Sequence, residues 1–214
     1  EISACLVGSE MCIRDSGIPV LLVNPESPDQ LSDMISLIAT ATNTQDKADQ
    51  LLDFINQEKE MLTTSLATAD DTPNIYLAGN SSLLSTAGPA MYQSGIIELA
   101  GGKNVASDIS DTYWAEISYE QLLSWDPDYI ILASDAEYTV DDVLSDPNLK
   151  DCTAVKNNHI YAIPGDIEAL DSPVPASILA SIWLAGILHP DQVSTDTYTK
   201  EMNSFYETFY GIKK

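Results

Sequence analysis

The strongest constraint on the fold comes from residues 74–188, where short apolar segments alternate with segments of helical pattern. In chain order these segments are residues 75–78, 92–99, 119–124, 129–132, 140–144, 160–163 and 176–188. An apolar run of four to eight residues between turn signals is typical of a buried strand. Strands separated by helices favour a parallel sheet covered on both faces. The sequence therefore predicts an α/β fold with a mostly parallel sheet covered by helices.

Further predicted elements precede and follow this region. Residues 19–23, PVLLV, read as a short strand that ends at Asn24-Pro25, and residues 29–41 read as a helix. Residues 44–67 place apolar side chains at helical spacing between charged ones. They predict a long amphipathic helix of roughly 22 residues, about 33 Å at 1.5 Å per residue. A last helix is expected over residues 196–210.

Residues 1–16, EISACLVGSEMCIRDS, are a signal of another kind. They can be back-translated into a transposase-type sequencing adapter with an index in its middle, so we interpret them as an artefact and exclude them from fold reasoning. The rival reading is that residues 2–5, ISAC, form a lipoprotein cleavage box. A signal peptide needs a basic segment and about 7–15 apolar residues before that point, whereas Glu1 alone precedes it here.

The composition excludes several classes of partner. The chain has 33 acidic and 9 basic residues, which gives a net charge of −24. Such a charge argues against nucleic acid or an anionic membrane as a direct ligand, and suits a protein that works at a cell surface or accepts a cationic partner. Outside residues 1–16, Cys152 is the single cysteine, so neither a disulfide framework nor a thiolate metal site is expected.

A known family is suggested by residues 100–132. The order of motifs is GGKN at 101–104, Trp114, SYEQLL at 118–123 and PDYII at 127–131. This order resembles the substrate-binding proteins of ABC importers that carry ferric siderophores, haem or cobalamin. The resemblance implies that Trp114 lines a ligand cleft and that Glu120 meets an arginine on the permease dimer.

Each of these two residues also has an ordinary structural interpretation. A tryptophan near the start of a helix is commonly a partly buried packing residue. Glutamate in a first helical turn is favoured by the helix dipole alone. The spacing of Glu120 from Trp114 is what makes it a candidate for docking.

The resemblance also implies how the chain is organised. It covers residues 17–211 and corresponds to the second part of a typical two-lobed receptor, so most of the first lobe is expected to be missing. We predict a remnant of the first lobe at 17–43, a long connecting helix at 44–69, a second ligand-binding lobe at 72–190 and a C-terminal helix at 191–214. The full-length protein is then expected to be an extracytoplasmic, membrane-anchored lipoprotein that is monomeric, holds no cofactor and delivers a metal chelate.

The ligand is expected beyond the carboxyl ends of the strands, as in other open α/β sheets. The loops in this position are residues 79–88, 108–114, 134–138 and 164–173. They and the adjoining helix supply the candidate ligand-binding residues, which are Asn80, Ser81, Ser82, Ser85, Tyr92, Trp114, Tyr138 and Glu168. Aromatic faces with a few hydroxyls and amides suit a large chelate. Any single serine or asparagine among them can instead be a turn residue.

Catalytic motifs are absent from the sequence. It contains no G-x-S-x-G elbow, no phosphate-binding glycine loop and no H-x-x-x-H spacing, and we expect His159 and His189 to be surface residues. The chain is therefore predicted not to be an enzyme. The alternative is an α/β enzyme whose catalytic part lies in the missing N-terminal region.

Overall fold

The computed structural model describes residue 17, residues 19–109 and residues 114–213. The adapter-like residues 1–16 lie outside this part of the chain. The first described helices are α1, Pro28–Thr42, and α2, Gln45–Leu66. The predictions of helices at 29–41 and 44–67 are confirmed.

Capping explains the bounds of α1. Ser27 Oγ accepts a hydrogen bond from Gln30 N at 3.3 Å, and Pro28 stands at the first helical position, where its missing N–H costs nothing. The helix ends at Asn43, which has a left-handed backbone with φ 57°. Asparagine tolerates this conformation better than most residues.

The predicted strand at residues 19–23 is wrong. The described residues there form no strand, and Val20, Leu21 and Leu22 are 39%, 46% and 74% exposed. A strand requires a neighbour for its backbone hydrogen bonds, and no described strand pairs with this segment. Residues 19–23 are apolar, but no described strand offers them backbone hydrogen bonds.

The described strands form a mixed sheet. They are β1, Asn74–Ala78; β2, Ser85–Ala87; β3, Lys103–Asn104; β4, Trp114–Glu116; β5, Tyr129–Leu132; and β6, Ile160–Ala162. Their order is β4-β2-β1-β5-β6, and β3 pairs with the start of β1. The pairs among β1, β3, β5 and β6 are parallel, whereas β2 pairs antiparallel with β1 and with β4. The sheet confirms the predicted class, with an antiparallel edge that the sequence did not predict.

Helices cover both faces of this sheet. They are α3, Tyr92–Leu99; α4, Tyr119–Trp125; α5, Val140–Leu144; α6, Thr153–Lys156; α7, Ile178–Leu188, which follows a 3-10 turn at Pro175–Ser177; and α8, Thr195–Phe205, which continues as a π-helical turn at Tyr206–Tyr210. None of the helices in the described part of the chain is long and apolar enough to cross a membrane.

The core divides into two clusters because strand side chains alternate between faces. Ile75 and Leu77 of β1 belong to the cluster that also includes residues of α1, α2, α3, α7 and α8. Tyr76 and Ala78 belong to the second cluster, which includes residues of α4, α5 and α6. The carboxyl ends of β1, β5 and β6 therefore emerge between two packed layers, and this rigid edge carries the candidate site.

Candidate functional site

A solvent-open depression lies at the carboxyl end of the sheet. It encloses about 900 Å³, including space continuous with solvent. Its walls come from the loop after β1, from β2, from the start of α3, from β4 and from the loop before α7. The lining residues are Asn80, Ser81, Ser85, Met91, Gln93, Trp114, Asp171 and Ser172. The structure thus brings four of the sequence-predicted residues that we named, Asn80, Ser81, Ser85 and Trp114, to one place.

Trp114 forms the apolar wall of this depression. It lies in strand β4, where its backbone pairs with Ala87 of β2, and its side chain is 37% exposed. A Cβ atom on Gly79 would lie 3.0 Å from Trp114 Cζ3, so the indole ring packs directly against the Gly79 backbone. Trp114 is therefore held by the backbone pairing of the first residue of β4.

Hydrogen bonds fix the backbone beneath the indole. Gly79 N donates to Ser85 O at 2.8 Å, and Gly79 O accepts from the Tyr138 hydroxyl at 2.6 Å. Glu137 N donates to Asn80 O at 2.8 Å. Burial raises the pKa of the Tyr138 hydroxyl, which keeps it protonated as a donor. Tyr138, predicted to contact ligand, positions the loop that supports Trp114 and is not among the residues that line the depression.

Ser82 is a turn residue rather than part of the depression. Its hydroxyl accepts from Leu84 N at 3.1 Å, and its carbonyl accepts from Ser85 N at 3.1 Å. These bonds close the turn that leads into β2. The turn interpretation left open by the sequence is the one that the structure supports for this serine.

Tyr92 is not brought to the depression. It is 5% exposed, and its hydroxyl lies 2.6 Å from Ser177 Oγ. Burial raises the pKa of this phenol, although the hydrogen bond with Ser177 opposes that effect. Tyr92 is the first residue of α3, and its side chain packs into the first core cluster. The side chain of the next residue, Gln93, lines the depression. The structure therefore does not bring Tyr92 together with the predicted residues that line the depression.

Glu168 also lies elsewhere. Its Oε1 accepts from the Tyr206 hydroxyl at 2.9 Å, and Tyr206 is 3% exposed. Burial raises the pKa of Tyr206, and the bond to Glu168 adds to the increase. Glu168 therefore joins the loop after β6 to the C-terminal π-helical turn. Its predicted role in ligand binding is not supported by this position.

Four of the lining residues, Met91, Gln93, Asp171 and Ser172, were not among the predicted site residues, and two of these four are buried polar side chains. Asp171 is 3% exposed and accepts a short hydrogen bond from Ser134 Oγ, and Gln93 is 7% exposed. In the sequence, Asp171 precedes Ser172-Pro173 and reads as a helix-positioning residue. The helix of Gln93, YQSGIIEL, also contains Ser94 and Glu98, so no signal in the sequence distinguishes Gln93 as a lining residue.

Asn104, the last residue of the GGKN motif, stabilises the fold through hydrogen bonds. Asn104 is 3% exposed, and its Nδ2 donates to Ala87 O at 2.9 Å and to Ser94 Oγ at 2.8 Å. Its Oδ1 accepts from Ala106 N at 2.9 Å. These bonds fix β2 relative to α3, so this asparagine holds two walls of the depression in register.

The prediction that His189 lies at the surface is wrong. It is 3% exposed, and its Nε2 lies 3.2 Å from Gly101 O. A Cβ on Gly101, which has φ 80°, would lie 2.6 Å from that nitrogen. The ring therefore fits only against glycine. His159 is half-buried and stacks on Tyr129, with ring centroids 4.5 Å apart.

Glu120 lies in solvent on the first turn of α4, the helix that follows β4. The helix is capped by Ser118, whose Oγ accepts from Gln121 N at 3.2 Å. A hydrogen bond from its own backbone amide lowers the pKa of the Glu120 carboxyl, and the Ser118 hydroxyl adds to this effect. Glu120 is thus an exposed, charged carboxylate close in sequence to Trp114. No group of acidic, histidine and cysteine side chains that could hold a metal ion occurs among the described residues.

Two relatives with similar sequences are named as binding proteins. The chain is 27% identical over 185 residues to a molybdate-binding protein of Haemophilus influenzae, covering 85% of this chain and 52% of that protein. It is 29% identical over 120 residues to a vitamin B12-binding protein of Salmonella choleraesuis, covering 56% of this chain and 44% of that protein. The chain therefore spans about half the length of these relatives. Both are named for a ligand and not for a reaction.

The fold is also similar to that of a solved binding protein. A crystal structure of a periplasmic solute-binding protein from Veillonella parvula superposes with a TM-score of 0.83 at 23% sequence identity, covering 95% of this chain and 63% of that one. The sequence profile described as "Periplasmic binding protein" matches residues 6–167. Since this match spans more than half of the chain, the protein belongs to the periplasmic binding protein family.

Proposed function

We propose that the chain forms part of an extracytoplasmic receptor that delivers a metal chelate, such as a ferric siderophore, haem or a corrinoid, to an ABC importer. The observation that carries the proposal is the depression at the carboxyl end of the sheet, walled by a half-exposed tryptophan. Ligands of open α/β sheets bind at this edge. The relatives named for molybdate and vitamin B12 support a small metal-containing ligand.

The chemistry of the wall suits a ligand with a large apolar face. The Trp114 indole offers a flat surface against which a ring or a wrapped chelate can stack. Asn80 and Ser81 are exposed at the rim of the depression, where they can form hydrogen bonds to the edge of such a ligand. A concave site with an aromatic surface and a few polar groups is the usual design of a small-molecule site.

Glu120 is proposed to dock the receptor onto the permease dimer. Its carboxylate is exposed, charged and on the first turn of a capped helix, so its position is fixed by the fold. An arginine on the partner could pair with both oxygens of such a carboxylate. The net charge of −24 favours approach to a basic surface. In this proposal the full-length protein is a monomeric, membrane-anchored lipoprotein.

Replacement of Trp114 tests the ligand-binding role. In the full-length protein, Trp114→Ala removes the stacking surface, and we expect a loss of about 1–3 kcal/mol, roughly ten- to a hundredfold in affinity. Trp114→Phe retains a ring and should recover part of the loss. The measurement is calorimetric titration with cobalamin, haem, ferrioxamine and molybdate, together with a thermal melt of each variant.

Trp183→Ala is the matched control, because Trp183 packs against the first core cluster and does not line the depression. It should lower the melting temperature and leave affinity unchanged. If Trp114→Ala gives this same result, the tryptophan is only a packing residue and the proposed ligand-binding wall is wrong.

A further inference from the structure

The floor of the depression contains a buried carboxylate without a cationic partner. Asp171 is 3% exposed, and one of its oxygens accepts from Ser134 Oγ. None of the ion pairs recorded for the described residues includes Asp171. Burying a carboxylate is costly unless it is paired or fully hydrogen-bonded, and a single neutral hydroxyl compensates only part of that cost. The second oxygen can still accept hydrogen bonds.

Gln93 is a second, independent sign of an incomplete site. It lines the same depression and is 7% exposed, and its Oε1 is buried without a hydrogen-bond partner among the described residues. Buried polar atoms of native proteins nearly always have partners, and a missing one calls for an explanation. Rotation of the terminal amide can present either its oxygen or its nitrogen to a ligand.

Positive charge is absent from this wall. Among the described residues that line the depression, none is lysine, arginine or histidine, and Asp171 is the one that carries a formal charge. A bare oxyanion would meet a carboxylate here without a compensating cation. A ligand with N–H donors or an ammonium group would instead satisfy Asp171 and the Gln93 oxygen together.

We infer that the ligand of this wall carries nitrogen donors on the edge that faces Asp171 and Gln93, as an amide-edged corrinoid or an ammonium-bearing ferric hydroxamate does. This inference rests on the proposed function and narrows it. Within the ligands considered above, it places cobalamin and ferrioxamine ahead of haem, which presents carboxylates, and ahead of molybdate, which has no donors at neutral pH.

The test compares these four probes on the full-length protein by calorimetric titration. Cobalamin or ferrioxamine should bind wild type more tightly than haem or molybdate does. Asp171→Asn keeps the shape and the bond to Ser134, yet turns an N–H₂ group toward the ligand donors. It should weaken the donor-bearing probe about ten- to a hundredfold, whereas Gln93→Met should weaken it about three- to tenfold.

Asp135→Asn is the matched control, because Asp135 is exposed on the loop of Ser134 and does not line the depression. It removes the same charge and should leave every affinity unchanged. Thermal melts and near-ultraviolet circular dichroism of Asp171→Asn report whether the fold is retained. If that variant is misfolded, the more conservative Gln93→Met decides the outcome.

Three results distinguish failure of this inference from failure of the proposal on which it rests. If a probe loses affinity in Trp114→Ala but binds Asp171→Asn and Gln93→Met as it binds wild type, the ligand wall stands and the donor inference is overturned. Tighter binding of haem or molybdate than of both donor-bearing probes also overturns it. If none of the four probes binds, the proposed function fails, and the inference fails with it.

Discussion

Gly79 is the position at which a single added carbon should disturb the candidate site most directly. A Cβ atom there would lie 3.0 Å from Trp114 Cζ3, 3.2 Å from Ser85 O and 3.3 Å from Ser85 Cβ. Favourable contacts between such atoms lie at about 3.5–4.0 Å. Gly79 is not among the glycines with positive φ, so alanine meets steric overlap there and not backbone strain.

The loss of stability expected for Gly79→Ala depends on which of the neighbouring atoms can move away from the added Cβ. Ser85 O belongs to the backbone of β2 and is bonded to Gly79 N at 2.8 Å, so it cannot retreat without loss of that bond. The Trp114 indole is not held by that bond, so we expect the overlap with the added Cβ to displace the indole. Overpacking of this kind typically costs about 1–3 kcal/mol, and each kcal/mol lowers the melting temperature of a protein of this size by roughly 2–4 °C. We expect Gly79→Ala to lower stability by that amount and to displace Trp114.

Thermal denaturation and tryptophan fluorescence measure the two effects. Gly186→Ala is the control, because Gly186 lies within helix α7 and its added Cβ would approach no atom closer than Thr195 Cα at 3.4 Å. Alanine is favoured over glycine in a helix interior by about 1 kcal/mol, so this variant should be neutral or stabilised. The reasoning is refuted if Gly79→Ala melts with wild type and leaves the emission spectrum unchanged.

Two further predictions concern Glu58 and Glu120. Burial raises the pKa of Glu58 to about 7, and Glu201 adds to the increase while Lys200 opposes it; the cost of the charged form is therefore full above about pH 7 and vanishes as pH falls towards 4.5. Melts should show Glu58→Gln more stable than wild type at pH 8 and equal to it near pH 4.5, and a gap that does not vary with pH would contradict this. Glu120→Arg in the full-length protein should leave ligand affinity unchanged but slow uptake by the reconstituted importer, because like charges would then face each other. Glu116→Arg, a reversal at another exposed residue, on β4, controls for general surface charge, and an equal loss of uptake in both variants would argue against specific docking.

The parallel part of the fold could be predicted because its signals are local. Residues 129–132 and 140–144 match their structural elements, since a four-residue apolar run and a Thr139 capping box each specify their own conformation. Strand β2, STA, carries no such signal. It becomes a strand because β1 and β4 offer backbone partners on both sides, and that information lies in tertiary contacts.

The place of the candidate site in the fold could be predicted from the sequence, but only some of the residues that line it could be. The rule that ligands bind beyond the carboxyl ends of strands places Asn80, Ser85 and Trp114 correctly at the depression. It does not specify side-chain direction, so Tyr92 was assigned to the cleft although Gln93 lines it. Asp171 was missed because its burial depends on packing against the Ser134 loop, which is distant in sequence.

The strand pairing of Trp114 has a consequence for how specificity would change under the proposed ligand-binding role. Its backbone is held by the ladder between β4 and β2, and its side chain packs against the Gly79 backbone at the edge of the sheet. Substitution at this one position would exchange an aromatic wall for a polar or smaller one while the backbone ladder is retained. Under the proposed ligand-binding role, backbone geometry would set the position of this wall and the side chain at residue 114 its chemistry, so a single substitution would change ligand preference while the scaffold is retained.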